Sequence, residues 1–196
     1  MRAVEVVRPG LLTTVQDLGR VGCQQFGVPT SGAMDQTALR AANLLVGNDE
    51  GAAGLEATGE GPALHALADL TVAVAGAEME PRLDGRPIES GATVVVRGGQ
   101  LLELGRVRRG LRADLAIAGG IDVPLMLGSR STCLPAAFGG FYGRPLRRGD
   151  LLAVEPAPRR QVGFNGRSLP PEWWQRVGEV LTLRVILGPQ DDRFTP

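Results

Sequence analysis

Two polar segments, well apart in the chain, carry most of the residue types able to do chemistry. The first is TTVQDLGRVGCQQFGVPTSGAMD, residues 13–35. In it Gln16, Asp17, Gly19 and Arg20 are followed by Pro29, Ser31, Gly32 and Asp35. One reading is a pair of polar loops whose backbone N–H groups, with Arg20, hold a carboxylate or ureido group. Asp17 or Asp35 would then orient that group or take a proton from it. The other reading is turn chemistry: Asp17 bonds its own turn, Asp35 caps a helix, and Arg20 pairs with either. Both readings stand at this level.

The second segment begins at Gly119-Gly120 and continues into GSRST, residues 128–132. Two glycines after an apolar run permit close backbone approach. Arg130 with Ser129, Ser131 and Thr132 offers donors for an anion, or else makes a solvated turn. A third motif, FGGFYGR at 138–144, places glycines between aromatics. It reads as core and turn packing, with Arg144 as its most functional member. His65 lies among alanines and leucines and reads as structural. Arg106, Arg108, Arg109 and Arg112 read as a solvated hairpin face.

The elements that must position these residues are short. Residues 3–7 and 11–15 read as strands around Pro9-Gly10. Residues 35–46, DQTALRAANLLV, repeat apolar positions at helical spacing, with Asp35 or Ser31 as cap and Gly47-Asn48 as terminator. Further strands are expected at 53–57, 70–75, 82–83, 93–96, 101–104, 114–118 and 151–154. Asp84-Gly85 is a hairpin signal. The pattern is mainly β with one or two helices, in a barrel or sandwich. The stretch 156–180 is rich in Pro, Arg, Asn and Gly and reads as a linker or excursion. The apolar stretch 181–187 reads as the first strand of a further unit, spanning 181–196, after a first unit spanning 1–155. With little after it to cover it, that strand points to a homodimer.

Composition narrows the function classes. The 196 residues are 43% hydrophobic and 21% charged with a formal net charge of +0, so nothing draws the chain to nucleic acid or an anionic membrane surface. No apolar run reaches the length of a membrane span. All 21 basic residues are arginine. A phosphate-loop lysine, a Schiff-base lysine and a biotin-carrying lysine are therefore absent from this sequence. One histidine cannot build a multi-histidine zinc site, and no metal centre is expected. Cys23 and Cys133 sit in no paired motif, and MRAVEVVRPG is not a signal peptide, which points to free thiols in the cytoplasm.

Residues 13–48, TTVQDLGRVGCQQFGVPTSGAMDQTALRAANLLVGN, resemble the N-terminal signature of the allophanate hydrolase subunit 2 family of biotin-dependent carboxyltransferase-like proteins. LEATGEGPAL at 55–64, AIAGGIDVPLMLGSRST at 116–132 and GGFYGRPLRRGDLL at 139–152 match further motifs in order. The resemblance covers residues 2–196. It implies a cyclophilin-like β-barrel as the first of two halves, with LTLRVILGPQDDRFTP resembling the start of the second. It also implies a cytoplasmic, C-type component of an ATP-dependent 5-oxoprolinase-type hydrolase, turning 5-oxoproline into glutamate with A- and B-type partner subunits. The substrate is then a small amide or lactam, and the component is inactive alone. ATP is used by the complex at a site in a partner or at an interface, and nothing is bound covalently. Two alternatives remain. One is a carboxyltransferase component acting on urea or a related amide with carboxybiotin from another chain. The other is a non-catalytic regulator of a kinase-inhibitor protein. By carry-over, Asp17 and Asp35 are the catalytic candidates, and Gln16, Arg20, Ser31, Arg130 and Arg144 the substrate-binding ones. One departure stands out: the family usually has an aromatic where this sequence has Asp114, so a packing contact or a subunit surface is expected to change there.

Overall fold

The computed structural model describes residues 2–156, 166–176, 184–186, 188–189 and 193. Two antiparallel sheets share one core. The strands are β1 Arg2–Arg8, β2 Leu12–Gln16, β3 Gly54–Thr58, β4 Ala63–Ala66, β5 Leu70–Met79, β6 Arg82–Leu83, β7 Arg86–Pro87, β8 Thr93–Val96, β9 Leu101–Glu103, β10 Val107–Ile117, β11 Ile121–Asp122 and β12 Leu151–Val154. One sheet has seven strands in the order β11-β12-β1-β4-β9-β6-β7, and the other five in the order β2-β3-β10-β5-β8. Val4, Val6, Leu64, Leu102 and Leu152 from the first sheet meet Val15, Leu55, Val72, Leu115 and Ile117 from the second. Side chains alternate across each strand, so one face of each sheet turns inward. The mainly β class expected from the sequence is present, with a single α-helix among the described residues. The barrel takes the form of two sheets wrapped on one core, and no single hydrogen-bonded ring closes among the described residues.

The helix, α1 Gln36–Leu45, lies on the outer face of the five-stranded sheet. Asp35 caps it through a 3.0 Å bond accepted from the Ala38 N–H, as its position before the apolar repeat predicts. Ala38 and Ala42 meet Ala73, Ala75, Ala116 and Ala118 of the sheet and the residue after it. Small residues on both sides bring helix and sheet backbones close. Past the helix, Asn48 donates to the Ile117 carbonyl at 2.8 Å and accepts from the Gly119 N–H at 2.8 Å, which ties the helix end to the double glycine.

Several expected elements are longer in space than in pattern. The strand expected at 114–118 runs from Val107, and the one at 70–75 reaches Met79. β4 carries no strong strand pattern and forms because β1 and β9 flank it. Of the arginine cluster, Arg108 and Arg109 lie on the exposed first part of β10 and Arg106 just before it, while Arg112 is half-buried; Arg106, Arg108 and Arg112 pair with Glu60, Glu80 and Glu56. In the stretch read as a linker, Leu169 donates to the Gly91 carbonyl at 2.7 Å, and Leu169 and Trp173 pack toward α1. The strand expected over 181–187 falls largely outside the described residues; Val185 and Ile186 are described, and are exposed and not in a strand. Cys23 and Cys133 are free thiols. No helix among the described residues is long and apolar enough to cross a membrane.

Candidate functional site

The two polar segments of the sequence meet. Asp17 follows the end of β2, and residues 128–132 fold back over it. Its Oδ1 accepts from the Gly19 N–H at 2.7 Å, from Ser129 Oγ at 2.7 Å, and from Ser131 Oγ. Its Oδ2 accepts from the Arg130 N–H at 2.6 Å. The Asp17 N–H donates in turn to Ser131 Oγ at 3.0 Å. The Ser129 and Ser131 hydroxyls and the Arg130 amide of GSRST gather on the chain's own Asp17 side chain, while the Thr132 hydroxyl donates to the Val15 carbonyl at 2.9 Å. Charge-assisted bonds of this kind are the strong ones in a buried setting.

Gln16 and Arg20 extend the same knot. Gln16 Nε2 donates to the Thr132 carbonyl at 3.3 Å, while its Oε1 accepts from the Gly32 N–H at 3.2 Å. Arg20 is 1% exposed, lies 4.7 Å from the centre of the Phe138 ring, and donates through Nη2 to the Ser131 carbonyl at 2.5 Å. It pairs with carbonyls rather than with Asp17 or Asp35. Its Nη1 has no hydrogen-bond partner among the described residues. Gly19 and Gly32 cross at positive φ, and a Cβ on Gly19 would come within 2.7 Å of the Ser31 carbonyl oxygen. Only glycine permits that crossing.

The remaining predicted residues lie apart. Ser31 is half-buried at φ 54, next to the glycine crossing. Asp35 is exposed at the helix cap. Arg144 forks onto both oxygens of Asp150 at 2.8 Å and 2.8 Å, and that bond holds the Asp150 carboxyl below its ordinary range. Arg130 lines a large cleft, one of about 500 Å³ beside Asn48, Asp49, Gly119, Gly120 and Glu155. There its Nη2 donates to Glu155 Oε1 at 2.5 Å and its Nε to the Val123 carbonyl at 3.0 Å. Asn48 was marked only as part of the helix terminator and the signature that ends there, and Glu155 by no motif; only the fold brings them to Arg130. A second cleft, of about 550 Å³, lies between Arg2, Asp122 and the aromatic loop carrying Phe138, Phe141 and Tyr142.

Asp114 is fully buried on the helix-facing side of β10, directly opposite Glu56 of β3. The departure from the family pattern is thus an interior packing position, not an exposed subunit surface. Burial pushes the Asp114 carboxyl well above its ordinary 3.8, and the neighbouring Glu56 and Asp35 push it the same way. Burial also raises Glu56, against the pull of the Met34 N–H and of Arg112. Among the described residues, no group of three His, Cys, Asp or Glu is placed to hold a metal ion.

The model of the family described as "Carboxyltransferase domain, subdomain A and B" matches residues 26–196. The C-type component of the 5-oxoprolinase of Escherichia coli (strain K12) is 43% identical over 192 residues, covering 97% of this chain and 59% of that protein. The urea amidolyase of Saccharomyces cerevisiae (strain ATCC 204508 / S288c) is 42% identical over 200 residues, covering 99% of this chain and 11% of that protein. The crystal structure of the K. lactis urea amidolyase superposes with a TM-score of 0.80 at 40% identity, over 86% of this chain and 11% of the other. The chain spans less than two thirds of the length of each of these proteins.

Proposed function

The chain belongs to the carboxyltransferase-domain family, and from that premise we propose that it is part of a cytoplasmic, multi-subunit amide- or lactam-processing enzyme of the 5-oxoprolinase type. Its partners in this reading are A- and B-type oxoprolinase subunits, and its substrate is 5-oxoproline. The observation that carries the site is the Arg130 peptide. Its N–H is locked on Asp17 while its side chain enters the polar cleft beside Gly119-Gly120. A substrate carboxylate would take the Arg130 fork and free Glu155 to accept an amide N–H or steer a water. In this reading Asp17 and Gln16 hold the loops, since their side-chain hydrogen bonds are already made within the protein, and Arg20 joins them through the Ser131 carbonyl. Asp35 starts α1, Ser31 sits at the glycine crossing, and Arg144 holds Asp150.

In this reading the nucleotide site lies in a partner or at an interface, and the chain alone is inactive. The urea amidolyase relatives support a second reading, in which carboxybiotin from another chain and urea are the substrates. Co-expression with the partner subunits, followed by an assay of glutamate release from 5-oxoproline and ATP, tests the first. Arg130→Ala is expected to abolish measurable release while the assembly persists. Turnover only with urea and carboxybiotin would move the assignment to the second reading, and turnover with neither would remove both.

A further inference from the structure

Asp114 and Glu56 face each other across adjacent strands under the start of α1. Both Asp114 oxygens lack a hydrogen-bond partner among the described residues, and the side chain is fully buried. An ionised carboxylate left so is strongly disfavoured, and directly opposed like charges on neighbouring strands add to the cost. Glu56, unlike Asp114, has partners for both oxygens. Its Oε2 accepts from the Met34 N–H at 2.6 Å, and Arg112 Nε stands 3.6 Å from its Oε1. The groups facing Asp114 are Glu56 from β3, Asp35 at the cap of α1, Arg112 from β10 itself, and the uncharged Ala75 from β5.

Met34 ends a loop whose other amides grip the Asp17 knot. The Gly32 N–H donates to Gln16 Oε1, and the Ala33 N–H to the Asp17 carbonyl at 2.9 Å. We propose that Asp114 is kept as the neutral acid, and that its ionisation drives Glu56 off the Met34 amide, so the pair is a pH-sensitive latch on residues 31–35. The step is one proton. The Asp114 O–H bond breaks, the proton passes to water, and the electron pair stays on the carboxylate. Two opposed anions then share a buried site, and Glu56 is the one with a route outward, toward Arg112. The raised values of both carboxyls agree with this order of events.

The test is NMR on the whole chain, following the Asp114 side-chain carbonyl and the exchange protection of the Met34 amide. The Asp114 carboxyl is expected to keep its proton well above the ordinary aspartate value of 3.8. Met34 protection is expected to fall about tenfold or more as the Asp114 carboxyl loses its proton on raising the pH, one pKa unit's worth of coupling. Asp114→Asn and Asp114→Leu should each hold protection constant over the same rise in pH. An Asp114 carboxyl that ionises at the ordinary aspartate value of 3.8 overturns the latch, and needs no variant to be seen. So does a protection profile in the unaltered chain that is flat, or one that falls equally in both variants.

Discussion

Asp17 and Asp114 are both buried, at 8% and 0% exposure, and their surroundings are opposite. Asp17 receives hydrogen bonds from Gly19, Ser129, Arg130 and Ser131. Asp114 receives none among the described residues. The first is a negative charge that two loops fold around; the second is an acid that folding works against unless it keeps its proton. Depth of burial is common to both, so depth does not decide the role. Donor supply does: a buried carboxylate with its lone pairs met organises structure, while one without them stores a titration.

The largest test of this contrast is Asp17→Ala. It strands two hydroxyls and two N–H groups in a buried knot, and a loss of about 3–5 kcal/mol is expected, as for a broken buried charge network. Chemical denaturation measures it, and a loss below about 1 kcal/mol would mean that water replaces the carboxylate at little cost. Asp114→Leu should move stability the other way. In the folded chain Asp114 holds its proton above the ordinary 3.8, so between 3.8 and its raised value the folded state binds more protons than the unfolded one. Stability therefore falls as pH rises through that window, and the leucine variant should be free of the fall. A gain of about 1–2 kcal/mol at neutral pH is expected from melting curves, because a buried unpaired polar group is removed. Equal pH slopes for the two proteins would break the comparison.

The smallest effect is expected at Asp69, which has donors of the same kind but lies in water. It accepts from the Gly98 N–H at 2.9 Å and from Arg97 Nη1 at 2.6 Å. Those bonds hold it below 3.8, so its contribution is present above that value and is lost as pH falls through the lowered one. Asp69→Ala should leave the thermal midpoint at neutral pH unchanged within error. A drop matching that of Asp17→Ala would show that donors matter irrespective of solvent, and the contrast drawn from burial would need replacing.

Much of the local structure was legible in the residues. The apolar repeat marked α1, with Asp35 or Ser31 as its cap, and the helix is found with Asp35 as the cap. The Asp84-Gly85 turn joins β6 to β7, with Leu83 opposite Arg86. β4 was not legible, because ALHA has weak strand preference and takes its form from β1 and β9 on either side. The site divides in the same way. Residues 16–20 and 128–132 were each marked by turn glycines and clustered polar groups, which are local properties. That the second set binds the carboxylate of the first was not marked, because over a hundred residues separate them.

The sequence by itself determined where the turns fall, where α1 begins, which residues bear donors and acceptors, and what chemistry the missing lysines rule out within it. These follow from backbone freedom, capping and side-chain type, which act over a few residues. Only the tertiary structure decided which donors meet which acceptors. It set Asp17 at the centre of a knot, carried Arg130 to a cleft with Glu155, and set Asp114 against Glu56 under a helix. Those outcomes depend on strand register and on the path of loops closed over long stretches of chain. No short pattern encodes either one.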